Sequence, residues 1–355
     1  MIDKILTRMG DGERVSLTEK EVKDDLLLGT QDAVTKGKVP ELTEDELEQL
    51  FQIVSEPGRI VSVPPGEELV VTDDGVAMVL CAAEADGGAG LPISKQNSIL
   101  AYERAFAPDT VSTGHTDYSF KPAKALIDSE MQGYYSTSQA TTVPFFYGAQ
   151  PNLGLYYQQD GPFPNPAELL PKGKIKEARE AQEAAAEQLK EDMVFVGEKL
   201  YQIGGEGINF DTTGSAGDAD FCATLQAVEE LKKAAPNMAV EMGMSSEFIL
   251  GMHSQLTFNG ERLAGMYPHK QVKIAEAAGT DIFGPTVNIN TSKSIPWNLA
   301  RAVTFVKETV AVADIPIHPN VGMGVCGVPM CLETPVDCVT RASKALTIIG
   351  KADGL

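Results

Sequence analysis

The chain runs to 355 residues, of which 43% are hydrophobic, so it can bury a large core and is not a disordered tail. Its formal net charge of −21 excludes a nucleic-acid surface, because neutralising phosphates requires a basic face; a solvated acidic exterior is the simple reading. No apolar run reaches the ~18 residues that a bilayer crossing needs, and Met1-Ile2-Asp3-Lys4 does not open a signal peptide, so a cytoplasmic protein without membrane contact is expected.

Residues 1–135 read as an irregular α+β extension. Leu42–Val54 has helical spacing and opens on Thr43 with Glu46 three residues on, a capping box. Pro57-Gly58 and Pro64-Pro65-Gly66 are turn signals, Val76–Leu80 is a short β-rich run, and Gly87-Gly88-Ala89-Gly90 is a loop. His115-Thr116-Asp117 offers an acid–base pair or a structural hydrogen bond. Its place ahead of the rhythm described next favours the structural role.

Residues 136–355 alternate short apolar runs with helical patterns. The runs are Val143–Gly148, Gly207–Asp211, Met238–Met242, Asp281–Gly284 and Ile315–His318. Runs without polar alternation are what parallel strands look like when both faces are covered. Between them lie Lys174–Ile203, Asp220–Ala235, Trp297–Ala313 and Val336–Ile349, which carry helical spacing. A strand–helix unit of about 35–40 residues predicts βα repeats on a parallel sheet. The expected fold is α/β, a (β/α)8 TIM-barrel type, in preference to a doubly wound sheet. Such a barrel has eight strands. The last residues, Lys351–Leu355, fall where a sixth strand should start, so the barrel is expected to be incomplete at the C-terminus.

Barrel chemistry sits at the C-terminal ends of the strands. That rule selects Tyr147, Asn209, Asp211, Thr212, Glu241, Asn288, Asn290 and His318. Asp211 and Glu241 are the expected catalytic carboxylates, and Tyr147, Asn209 and Asn288 the groups expected to orient a substrate. The polar loop Thr212–Asp218 reads either as an anion cradle of backbone N–H groups or as the cap of the following helix. Gly322-Met323-Gly324-Val325-Cys326-Gly327 has the G-x-G-x-x-G spacing, but Pro329 and Pro335 deny it an immediate helix, so a dinucleotide site is rejected. The five cysteines are odd in number and scattered, which is no disulfide framework. Cys326 and Cys331 with His318 match no strong zinc spacing, and no metal is expected.

Several strings are specific. They are Gly114-His115-Thr116-Asp117-Tyr118-Ser119-Phe120-Lys121-Pro122, Asn152-Leu153-Gly154-Leu155-Tyr156-Tyr157 and Asn209-Phe210-Asp211-Thr212-Thr213-Gly214. Asn290-Thr291-Ser292-Lys293, Trp297–Phe305 and Val339–Ala345 follow in the same order. Together they resemble the dimethylamine:corrinoid methyltransferases of methylotrophic methanogens and some bacteria, from Arg8-Met9-Gly10-Asp11-Gly12 to the last residue. The resemblance implies transfer of one methyl group from dimethylamine to the Co(I) corrinoid of a cognate dimethylamine corrinoid protein. The corrinoid is carried by that partner, and no cofactor is bound directly. A homo-oligomer is expected. The family reads an in-frame amber codon as pyrrolysine after Asp-Gly and an aliphatic residue. Asp353-Gly354-Leu355 fits that context, which implies a chain stopped at the codon and inactive in this form. Two alternatives stay open: a catalytically silent module that binds the corrinoid protein, and a zinc-dependent methyltransferase using Cys326, Cys331 and His318.

Overall fold

The chain starts with a hairpin that no sequence pattern announced. The computed structural model describes residues 4–67, 69, 71–73, 111–115, 117–119, 146–151, 153–159, 161–252, 255–322, 324–331 and 334–355. Strands β1 (Lys4–Arg8) and β2 (Arg14–Thr18) pair antiparallel. Two helices follow, α1 (Glu19–Gly37) and α2 (Glu44–Ser55), and each opens on a capping box. In α1, Glu21 N–H donates to Thr18 Oγ1 at 3.3 Å and Thr18 N–H donates to the Glu21 carboxylate at 2.7 Å. Thr43 and Glu46 repeat the exchange on α2, as the sequence predicts. Each box satisfies two N–H groups that a helix start leaves without a partner.

The next strands are short. β3 (Val71–Asp73) pairs with β5 (Asp117–Ser119), and β4 (Val111–His115) lies antiparallel to β6 (Phe146–Pro151). The expected strand Val76–Leu80 and the loop at 87–90 lie outside the described residues. The short helix α3 (Pro166–Leu169) and the long helix α4 (Ile175–Gln202) lead to β7 (Gly207–Thr213), α5 (Asp218–Ala234) and β8 (Ala239–Met244). A small hairpin of β9 (Thr257–Phe258) and β10 (Glu261–Arg262) precedes α6 (Pro268–Ala278). Strand β11 (Ile282–Gly284) and helices α7 (Ile295–Val312) and α8 (Val336–Ile348) complete the described elements.

The main sheet has the order β11-β8-β7-β6-β4, and β6, β7, β8 and β11 run parallel. Strands that are consecutive in sequence therefore lie side by side. A doubly wound sheet would reverse its order at a switch point, and no reversal occurs here. Ile317 extends the arc through a single parallel bridge to Phe283, where the apolar run Ile315–His318 had led us to expect a full strand. Ile317 O accepts from the N–H groups of Asp353 and Gly354 at 3.0 and 3.3 Å. The architecture is mixed α/β with a parallel sheet in chain order. Closure into an eight-stranded cylinder is not among the described contacts.

The pleat of the strands divides the sheet into two rows. Ile208, Phe210, Val240, Met242, Phe283 and Ile317 are fully buried and pack with Leu189 and Met193 of α4, Phe221, Leu225 and Leu231 of α5, and Val272 of α6. The alternate positions, Asn209, Asp211, Glu241, Gly243 and Gly284, belong to the opposite face. A second core joins the ends of the chain: Val22 and Leu26 of α1, and Leu50 and Ile53 of α2, meet Leu299, Val303 and Phe305 of α7 and Leu346 of α8. Helix α1 comes very close to α7, since a Cβ added at Gly29 would stand 2.2 Å from Trp297 O. No described helix is long and apolar enough to cross a membrane.

Candidate functional site

The row of alternate positions on the sheet is polar, and its members come from separate strands. Asn209 and Glu241 are direct cross-strand partners, and Glu241 is in turn opposite Ile282. Asn209 and Glu241 are only 5% and 6% exposed, which is unusual for polar side chains at strand positions. Asn209 Oδ1 is buried and has no hydrogen-bond partner among the described residues. An amide carbonyl held dry without a donor costs free energy, so the arrangement calls for a ligand or a water.

Asp211 stands two residues further along β7. Its Oδ1 accepts the N–H of Thr212 at 2.7 Å, and Thr212 turns into the left-handed region at φ 57°. Glycine on the neighbouring strand makes room for it. A Cβ at Gly243 would lie 2.8 Å from Asp211 Oδ1 and 3.5 Å from Asn209 Oδ1. The acidic and amide oxygens of β7 thus lean over β8 at the one position that lacks a side chain.

His318 closes this group from the other side. Its Nδ1 is 3.9 Å from Glu241 Oε1, within ion-pair reach but too far for a direct hydrogen bond. Burial lowers the imidazole below its usual range, and the nearby Asp353 carboxylate pulls the other way. The ring packs against Gly354, where an added Cβ would meet Nε2 at 2.5 Å.

Three other expected residues fall elsewhere. Tyr147 is in register with Ile208, while Gly148 is in register with Asn209. The backbone therefore puts Gly148, not Tyr147, in the row of Asn209 and Glu241. Asn288 is exposed and locked into a reciprocal clamp: its Oδ1 accepts Glu247 N–H, and its own N–H donates to Glu247 Oε2, both at 3.1 Å. Asn290 is exposed and accepts the Ser292 N–H at 3.0 Å in a local turn.

The anion-cradle reading of the loop after β7 is corrected, because its donors are already used. Asp220 accepts Gly214 N–H at 2.8 Å, Ala216 N–H at 2.7 Å and the Ser215 hydroxyl at 3.2 Å. Gly217 N–H donates to Gly214 O and Asp218 N–H to Leu250 O. The loop is a cap for α5, tied by a wholly buried carboxyl that burial pushes up to about 7.

The zinc alternative is also overturned. Cys326 is fully buried in the α7 core, with its thiol pushed up to about 12 by burial. Cys331 instead lies beside Gly12, where an added Cβ would be 3.4 Å from its Sγ. His318 faces Glu241. Among the described residues no group of three or more His, Cys, Asp or Glu side chains is placed to hold a metal ion. In the glycine-rich segment Gly324, Cys326 and Gly327 have positive φ, and Cys326 N–H donates to Val287 O at 2.8 Å.

Sequence reasoning missed the strongest charge cluster. Arg301 of α7 and Glu247 after β8 are about equally buried, at 5% and 4% exposure. The guanidinium grips both Glu247 oxygens, the Nη1–Oε2 contact being 2.5 Å, and its Nε donates to Asp32 Oδ2 at 2.7 Å. Phe305 lies 5.2 Å beneath the guanidinium. An arginine inside the apolar run Leu299–Val306 was the available signal, since a charge there must find a partner.

A family model described as dimethylamine methyltransferase matches residues 3–355. No solved structure matches the chain.

Proposed function

The chain belongs to the dimethylamine methyltransferase family, and on that premise we propose that it moves one methyl group from dimethylamine to the Co(I) corrinoid of a cognate small protein. We read the sheet as part of a (β/α)8 barrel whose interior carries the row Asn209, Asp211 and Glu241. The observation that carries this reading is the buried cross-strand pair of Asn209 and Glu241.

The corrinoid, when the partner is docked, supplies a cobalt nucleophile for the methyl carbon. The residues of this chain have a separate task, which is to hold nitrogen as a cation. The ammonium form has a pKa comparable to that of lysine, about 10.4, so nitrogen is protonated at neutral pH and can depart as neutral methylamine, whereas the unprotonated amine would have to leave as an amide anion, a very poor leaving group. Nitrogen must therefore bear positive charge while its bond to carbon breaks. Dimethylammonium offers two N–H donors, and the row offers a carboxylate and an amide carbonyl side by side. Glu241 takes one N–H and the charge, Asn209 Oδ1 takes the other, and Asp211 adds negative potential from the next position along β7. Burial of the row strengthens each of these interactions relative to water. The donor set suits a small organic cation.

Calorimetric titration of the chain with dimethylammonium chloride at pH 7.5 tests this, with dimethyl ether as the uncharged isostere. Dimethylammonium should bind and the ether should not. Glu241→Gln should weaken binding by about 10–100-fold, the worth of one charge-assisted hydrogen bond of about 1.5–3 kcal/mol. Equal affinity for the cation and the ether, or an unchanged affinity in Glu241→Gln, would sink the proposal.

A further inference from the structure

His318 shares the site with Glu241 and has no part in the reading above. Its Nδ1 lies 3.9 Å from Glu241 Oε1, and its side chain is 10% exposed. Two glycines fix this approach. Gly284 of β11 lets the backbone of the histidine come close to the sheet: a Cβ there would come within 3.1 Å of His318 O. Gly354 lies against the far side of the ring, at a distance where any Cβ would clash with it. The imidazole thus packs against Gly354 and presents Nδ1 towards the carboxylate. Among the described residues, the titratable groups placed against it are Glu241 from β8 and Asp353 from the C-terminal segment. β11 contributes only Ile282, Phe283 and Gly284, and the residues flanking the histidine, Pro316, Ile317, Pro319 and Asn320, do not titrate.

We propose that His318 is the positioning residue that decides which cation Glu241 holds. Neutral, it leaves the carboxylate to the substrate ammonium. Protonated, it becomes a built-in counterion for Glu241 and competes with dimethylammonium for the same charge. The inference rests on the assignment of Glu241 as the amine-binding carboxylate. Its physical basis is that two cations within about 4 Å of one buried carboxylate repel each other while competing for it. The depressed basicity that burial gives the imidazole fits the neutral state as the working form.

Dimethylammonium chloride is titrated into the full chain from pH 5.5 to 8, in the wild type and in His318→Asn, which is uncharged throughout. Wild-type affinity should fall as the imidazole protonates, approaching about tenfold per pH unit below its pKa, as competition between one proton and one ligand requires. His318→Asn should be flat over the same range. NMR titration of the His318 ring in the wild type supplies a readout that needs no variant: saturating dimethylammonium should lower its pKa, since the coupling is reciprocal. Parallel pH profiles in the two proteins, or a ring pKa that ligand does not move, would overturn the role of His318. Absence of dimethylammonium binding by the wild type at every pH would instead refute the function proposed above, and this inference with it.

Discussion

Replacing Arg301 by leucine removes the cation from a carboxylate that is only 4% exposed. In the intact protein Glu247 is held by two guanidinium contacts and by the Asn288 N–H at 3.1 Å. In Arg301→Leu only the backbone N–H remains of those three. Removing one partner of a buried pair typically costs about 3–5 kcal/mol, because the other is left charged and poorly solvated. The lost Asp32 contact adds little, since Asp32 is a quarter exposed and also meets Lys36. For a chain this long the unfolding entropy is about 0.7 kcal/mol per degree, so the melting temperature should drop by about 4–7 °C. Urea melts and calorimetry measure both quantities. The pair also joins three parts of the fold, α1, α7 and the segment after β8, so the loss should appear as one cooperative shift. Arg301→Met combined with Glu247→Leu removes both charges and should recover most of the loss. A single variant that costs under about 1 kcal/mol, or a double variant as unstable as the two singles added together, would refute the buried-pair argument.

Four shorter predictions follow from the same structure. Gly29→Ala should lower stability even though alanine gains about 1 kcal/mol of helix propensity, because its Cβ would lie 2.2 Å from Trp297 O; a melt that rises would show that α1 does not dock on α7. Gly243→Ala should displace the Asp211 carboxylate and weaken dimethylammonium binding several-fold with little change in melting temperature, which paired calorimetric and thermal measurements can check. Asp220→Ala should cost about 2–4 kcal/mol, since one buried and one half-buried N–H lose their acceptor, and amide exchange should quicken at Gly214 and Ala216; unchanged protection there would remove the cap. The folded state holds His318 below its unfolded basicity, so its contribution to stability is present above about pH 6.5 and is lost as pH falls through that window towards the folded value; His318→Asn should flatten this segment of the pH–stability curve.

Four helices of the second half are legible in the sequence because their cause is local, whereas Pro166–Leu169 and Pro268–Ala278 are not among them. Ala/Glu-rich spacing predicted Lys174–Ile203, and the helix observed is Ile175–Gln202. Thr43 and Glu46 marked the start of α2 because a capping box needs only four adjacent residues. Helix α1 carries the same signal at Thr18 and Glu21, yet its many charges hid the narrow apolar stripe Val22, Leu26 and Ala33. Strand-end logic selects Asn209, Asp211 and Glu241 from the sequence, whereas the structure places Asn209 and Glu241 inside β7 and β8, because those strands continue to Thr213 and Met244. Tyr147 could not be excluded in the same way, because its row depends on the register between β6 and β7, and a slip of one residue would exchange it with Gly148. Asn288 looked like a strand-end ligand until the structure showed its side chain engaged with Glu247.

Composition and pattern alone determined an acidic α/β chain of repeated strand–helix units, with polar residues among the apolar ones of its strands. These features depend on residues within a few positions of one another. Tertiary structure alone decided that Glu247 and Arg301, 54 residues apart, share one buried charge pair. It likewise decided that the Glu241 carboxylate and the His318 imidazole face each other at 3.9 Å. Such pairings depend on strand order, register and the close approach permitted by Gly284 and Gly354, and those are properties of the packed chain, which no local stretch of sequence carries.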